Sequence, residues 1–281
     1  MTDLDWVPPG IDTTRPSAAR VYDYFLGGTH HLPVDRELAG HIEAMTPDIG
    51  ATMRANRAFL QRAVRFLAGA GVRQFLDIGS GIPATGNVHE IAQAEAPDSA
   101  VVYVDVDPVA VEHSRAMLAG VANTGVILAD ARDTDRVLRG TAELGLIDFG
   151  RPVAVLLAGV LHFIPDEADP AGLVAALRSA AGPGGYLVIS HATADGQPPE
   201  VIEAQKLSSR TGTGIVLRSH AEIASWFDGF PLVDPGLVHI PLWRPGPGET
   251  VGHPERFGAY AGVGAAGEGV TRPAPPGSGR R

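Results

Sequence analysis

The chain predicts an α/β fold in which a doubly wound, mostly parallel sheet follows an N-terminal helical cap. Three observations carry that expectation. Between residues 72 and 244, short apolar runs alternate with segments of helical period, as when parallel strands are covered by helices on both faces. The first run passes straight into Gly79-Ser80-Gly81, a turn where glycine admits positive φ and close backbone approach to a ligand. Aspartates mark the ends of three successive runs: Asp77, Asp105 and Asp130.

The elements follow in order. Residues 1–71 form the cap. Arg15-Pro16-Ser17 opens a helix that stops at Gly27-Gly28; proline suits a first turn and glycine a stop. A second helix is expected at 34–44, and a third from Thr46 as N-cap through Phe59, Leu60, Val64 and Leu67. Residues 72–244 form the core. Its strands are expected at 74–78, 101–106, 125–129, 153–158 and 186–190, joined by right-handed crossovers through helices at 87–94, 109–119 and 171–180. Helices at 200–208 and 221–227, with short strands at 232–233 and 237–242, finish the domain. Residues 245–281 are rich in Gly, Pro and Ala, an extension whose last stretch, from Thr271, reads as a disordered tail.

Composition narrows the function. No apolar run approaches the roughly 18 residues that a membrane span needs, so no membrane partner is expected. Residues 1–10 carry Asp3 and Asp5 and no basic cluster, unlike a secretory signal. There is no cysteine, which excludes disulfides and thiolate metal sites and fits a cytoplasmic location. The net charge of −10 argues against a nucleic-acid partner, because such binding draws chiefly on basic surface.

In open α/β sheets ligands bind beyond the carboxyl ends of the strands, where the glycine turn sits. The dinucleotide pattern Gly-x-Gly-x-x-Gly fails here, with Ala84 at its third glycine and Pro83 before it; contact between a helix and a pyrophosphate wants the full pattern. Asp105 can accept hydrogen bonds from both ribose hydroxyls of an adenosine ligand. Asp107, followed by Pro108, is better suited to cap the next helix. Asp130 can accept from an adenine amino group, with the Ala131 N–H facing the ring.

On these residues the chain resembles the class I S-adenosylmethionine-dependent methyltransferases over about 72–244. The motif order matches: Asp77-Ile78-Gly79-Ser80-Gly81, Asp105-Val106-Asp107-Pro108, Ala129-Asp130-Ala131, Gly159-Val160-Leu161-His162-Phe163, then Gly182-Pro183-Gly184-Gly185 before the fifth strand. It is also similar to a bacterial subfamily long catalogued as a domain of unknown function, through Tyr22-Asp23-Tyr24-Phe25-Leu26-Gly27-Gly28. The resemblance implies a Rossmann-like, seven-stranded sheet and S-adenosyl-L-methionine as cofactor. It implies that Asp77, Gly79, Ser80 and Gly81 face the methionine part, Asp105 the ribose, and Asp130 with Ala131 the adenine, with Val106 also among the cofactor-binding residues. Gly159 and Leu161 to Phe163 would line the pocket floor. Pro83 stands where many relatives have a third glycine and alters the path of that loop.

Methyl transfer is an in-line displacement for which the protein supplies positioning and, for some acceptors, a general base. The fourth strand tip lacks the Asn/Asp-Pro-Pro-aromatic motif of amino-methylating nucleic-acid enzymes, and lacks an acid for a catechol-type magnesium site. A small-molecule acceptor and no metal are therefore expected. His162 is the catalytic candidate, either a general base or a pocket-lining structural histidine; His191 has the same two readings. Tyr22 and Tyr24 either close over the cofactor or pack the cap on the core. Arg54 and Arg57 either meet the cofactor carboxylate or acceptor, or form a solvated face. His30, His31 and His41 read as solvated surface. Two other functions share these features: a non-catalytic ligand-binding protein on the same fold, and an NAD-dependent oxidoreductase.

Overall fold

Five parallel strands form the centre of the computed structural model, which describes residues 6–7, 11–199, 202–203 and 214–267. They are β1 (Gln74–Ile78), β2 (Ala100–Asp105), β3 (Thr124–Leu128), β4 (Ala154–Ala158) and β5 (Tyr186–Ala192). β7 (Ala259–Ala265), antiparallel to both of its neighbours, and β6 (Val238–His239), which runs in the same direction as the central five, complete the order β3-β2-β1-β4-β5-β7-β6. The order reverses between β1 and β4, the place where open α/β sheets bind ligands. The helices are α1 (Ala18–Phe25), α2 (Pro33–Met45), α3 (Ile49–Gly69), α4 (Val88–Glu95), α5 (Pro108–Met117), α6 (Thr134–Glu143), α7 (Pro170–Ala180) and α8 (His220–Ser225). Among the described residues, no helix is long and apolar enough to cross a membrane.

Alternation along the central strands divides the core into two layers. Leu76, Ile78, Val102 and Val104 pack with Val137 of α6, Leu177 of α7 and Ile223 of α8. Phe75, Val101, Tyr103 and Leu156 face Phe59 and Leu67 of α3, Ile91 of α4 and Trp243. α3 thereby belongs to the core as much as to the cap. Within the cap, Arg20 and Asp35 form a buried ion pair at 2.6 Å. Asp35 also accepts from the backbone N–H of Ser17 (2.9 Å) and Leu32 (2.7 Å), so it ties the start of α1 to that of α2. Removing either partner would strand a buried charge, at about 3–5 kcal/mol.

The first five strands fall within two residues of their expected bounds. Other elements differ. Thr46 ends α2, its N–H bonded to Ile42 O at 2.8 Å, and α3 begins three residues later. α6 escapes the pattern because only Val137 and Thr141 of it are buried. The strand expected at 232–233 shrinks to one bridge, Leu232 to Gly264. That at 237–242 keeps two residues before a 3₁₀ turn, Ile240–Leu242, whose Pro241 has no N–H to offer a ladder. The strand that completes the sheet is β7, from the stretch taken for an extension. Its glycines disguise it, yet packing demands them: a Cβ on Gly264 would lie 2.7 Å from Phe227 and 2.8 Å from the Phe230 carbonyl. Most of the expected helix at 200–208, and the tail from 271, lie outside the described residues.

Candidate active site

The three aspartates gather on one edge of the sheet. Register pairs Asp77 with Tyr103, and Asp105 with Leu128; Asp130 stands two residues beyond Leu128. Gly79 has φ +71°, and a Cβ there would lie 2.5 Å from Val160 Cγ2. The turn is therefore pressed against the tip of β4, where only glycine fits. Asp105 is buried and accepts from Gly81 N (2.7 Å) and Asp107 N (2.8 Å), which ties the turn to β2. Burial pushes its carboxyl upward, against the pull of those N–H groups. Beside it Val106 and Leu128 stay exposed, an apolar surface open next to the acids. Asp107 accepts from Val109 N at 2.8 Å as the N-cap of α5, and also takes the Ser17 hydroxyl. Asp130 turns toward Arg132, whose guanidinium holds its carboxyl below the ordinary range.

Asp77 is 3% exposed, and among the described residues no hydrogen bond reaches its carboxylate. Burial raises its pKa to about 7, Arg57 pulls it down and Asp105 pushes it up. Arg57, from α3, donates through Nη2 to Ala84 O (3.1 Å) and Asn87 Oδ1 (2.8 Å), while its Nε is buried with no partner. It is no solvated face: it fastens the loop around Pro83 to the start of α4. Arg54 is exposed.

At the tip of β4, Gly159 has φ +79°, and a Cβ there would sit 3.0 Å from Asn56 Nδ2. Asn56 is buried; it donates to Tyr22 Oη (3.1 Å) and accepts from Ser190 Oγ (2.5 Å). The Tyr22 hydroxyl in turn donates to Met53 O at 3.1 Å. Helices α1 and α3 thus meet β5 over the end of β4. Tyr24 packs within the cap, edge-on to Phe25 and His31.

The next turn, Leu161–Phe163, buries Leu161 and exposes Phe163. His162 lies between, its Nδ1 buried and unpartnered, its ring centroid 4.4 Å from that of Phe163 and 5.6 Å from that of His191. Burial, then His191 and Arg218, depress its pKa to about 3. His191 is 1% exposed; its Nδ1–H donates to Ala192 O (2.7 Å), and its Nε2 accepts from Arg218 (3.0 Å). Burial above all lowers its pKa to about 4. Both rings are uncharged near neutrality.

Asn56, Ser190 and Arg218 were not anticipated, since nothing local marks them; only the fold brings them together. His30 and His31 also depart from the solvated reading. The His30 ring lies 4.3 Å from that of His113, tilted against it, and edge-on to Trp6, and His31 Nδ1 lies 3.4 Å from the buried Asp23. His41 is exposed.

A switch-point sheet with a glycine turn, strand-tip acids and a reversed strand β7 between β5 and β6 fits the class I S-adenosylmethionine-dependent methyltransferases. The chain belongs to the S-adenosyl methyltransferase family, whose model matches residues 5–267. It is a methyltransferase, and S-adenosyl-L-methionine is its cofactor. The chain is similar to a candidate methyltransferase of known structure from Thermobifida fusca YX, with 40% identity and a TM-score of 0.86, covering 93% of this chain and 99% of that one. A DUF574 family protein from Streptomyces avermitilis MA-4680 is 38% identical, with a TM-score of 0.86 and coverage of 91% and 99%. Both alignments span over nine-tenths of this chain, so the cap is shared architecture. No curated protein matches the sequence. Nothing in these findings favours the nicotinamide-dependent or the non-catalytic alternative.

Proposed function

We propose that the enzyme methylates a small-molecule acceptor, bound between the cap and the tips of β4 and β5, in the cytoplasm. The observation that carries this reading is the Tyr22–Asn56–Ser190 chain of hydrogen bonds. It fastens the cap over the strand tips, an arrangement better suited to a metabolite than to a polymer. The net charge of −10 supports the same reading.

The residues present fit the cofactor. A buried carboxylate (Asp77) and an unpartnered guanidinium N–H (Arg57 Nε) stand at the glycine turn. They complement the ammonium and carboxylate of a methionine moiety. Gly79, Ser80 and Gly81 let that moiety approach the backbone. Asp105 takes the ribose hydroxyls, Val106 and Leu128 supply an apolar surface, Asp130 and Ala131 face the adenine edge, and Gly159 and Leu161 line the floor. When bound, the cofactor supplies an electrophilic methyl group. Tyr22 closes the acceptor side, and Tyr24 supports it from within the cap.

His162 meets the acceptor as an uncharged imidazole. A conjugate acid with a pKa near 3 is too strong to hold an abstracted proton at neutral pH, so the ring orients the acceptor by a hydrogen bond rather than deprotonating it. The acceptor is tested by incubating the enzyme with methyl-labelled cofactor and a bacterial extract, then separating small molecules from RNA, DNA and protein. Label is expected in the small-molecule fraction. Label confined to polymer overturns the reading.

A further inference from the structure

We propose that Arg218 is a positioning residue for methyl transfer, setting the orientation of His162 through His191 and through the turn that carries it. The inference rests on the reading that the acceptor meets His162. Arg218 is 4% exposed and lies immediately before Ser219, the N-cap of α8, so its backbone is anchored. Its Nη1 donates to Leu161 O (3.2 Å) and its Nη2 to Ile164 O (3.0 Å), the two carbonyls that bracket His162 and Phe163. Nη2 also reaches Asp166 Oδ1 at 2.5 Å. One residue pair earlier, Val216 N donates to His162 O at 2.7 Å. A guanidinium is a rigid planar fork, so these bonds fix the turn as a unit.

Carbonyls and Asp166 would satisfy an arginine whose work was only structural. The bond from Nη1 to His191 Nε2 (3.0 Å) goes further. It requires an unprotonated Nε2, and hence the tautomer that donates from Nδ1 to Ala192 O. The His191 ring, fixed in this way, stands edge-on to His162 at 5.6 Å. The charged and titratable groups facing the pair are Arg218 and His191 toward His162, Arg218 and Glu222 toward His191, and Asp166 on the far side of Arg218. The nearest full charge is thus a cation, which disfavours a proton on either ring and leaves His162 Nδ1 free for a ligand.

The test is long-range proton–nitrogen spectroscopy of the histidine rings in the full chain with S-adenosylhomocysteine present, for the parent, Arg218→Gln and Arg218→Lys. In the parent, His191 is expected as the single Nδ1–H tautomer. In Arg218→Gln, His191 should mix tautomers and His162 should titrate at least about one pH unit higher, with affinity for S-adenosylhomocysteine within about twofold. Methyl transfer to the small-molecule extract should fall about tenfold or more, and Arg218→Lys should restore part of it. An Nε2–H tautomer in the parent overturns the proposal without any variant, even if Arg218→Gln fails to fold. Unchanged His162 signals or unchanged transfer in a folded Arg218→Gln overturn it too. Failure of the parent to bind S-adenosylhomocysteine would instead sink the assignment of the cofactor residues, while the ring spectra on the same sample still decide the role of Arg218.

Discussion

At the tips of β1 to β3 the chain presents mostly backbone and short acids drawn from contiguous stretches. At the tips of β4 and β5 it presents side chains gathered from five separate segments: Tyr22, Asn56, the turn at 159–163, Ser190 with His191, and Arg218. On the proposed placement of the cofactor, the first region handles a ligand that never changes, so its groups can be simple: a bend free of Cβ atoms, a carboxylate on each strand. On the function proposed above, the second recognises the molecule that receives the methyl group, with a network in which each group depends on another. One half is specified by local sequence, the other by assembly.

Replacing Gly79 should strain this contrast most. In Gly79→Val a side chain would collide with Val160 at a backbone conformation that L-residues resist. A loss of about 3 kcal/mol or more is expected in denaturant unfolding, together with loss of S-adenosylhomocysteine binding by calorimetry. A variant as stable as the parent would mean that the turn is slack.

Asp77→Asn separates affinity from stability. Cofactor affinity should drop about tenfold or more, yet the ligand-free protein should become more stable at alkaline pH. The sign follows from the folded pKa of about 7, raised above the ordinary 3.8. Such a carboxyl favours the fold while protonated, and that contribution disappears as pH rises from about 4 through 7. The loss amounts to as much as about 4 kcal/mol. Unfolding at pH 5 and pH 8 measures it; equal gains at both would refute the buried-charge account.

The acceptor side should show the opposite slope. His162 has a folded pKa of about 3, depressed from 6.5, so its contribution is complete above pH 6.5 and is lost as pH falls toward 3. His162→Phe should flatten that acid limb by up to about 1.4 kcal/mol per pH unit. Asn56→Ala, which unpartners Ser190 and leaves Tyr22 Oη only its bond to Met53 O, should cost about 2 kcal/mol and leave S-adenosylhomocysteine affinity within about twofold. Asp107→Ala should do least: about 1 kcal/mol for the lost N-cap, with no change in cofactor affinity. A large affinity loss in Asp107→Ala would move that residue from helix capping into the cofactor site.

The same contrast explains what could be read without coordinates. The strands β1 to β5 were legible because largely apolar runs have few other fates, and Asp77, Asp105 and Asp130 because each lies within two residues of its strand's end. Arg218 was invisible, since an arginine before a helix usually meets water and its partners lie 27 to 57 residues away in sequence. Arg57 was underrated for a related reason: helical spacing gives a face but not what that face meets. β7 was missed because strand propensity rewards branched and aromatic residues, whereas this strand needs glycines to pass beneath Phe227 and Phe230.

That late strand bears on how the molecule is made. All seven residues of β5 pair with β7, and the segments between them run through 66 residues of chain (193–258). Until Ala259–Ala265 emerges, the growing polypeptide carries Tyr186–Ala192 as an open border, its amides and carbonyls available to any passing strand. A nascent or clipped product ending short of Ala259 should therefore clump rather than fold, however complete its grip on the cofactor.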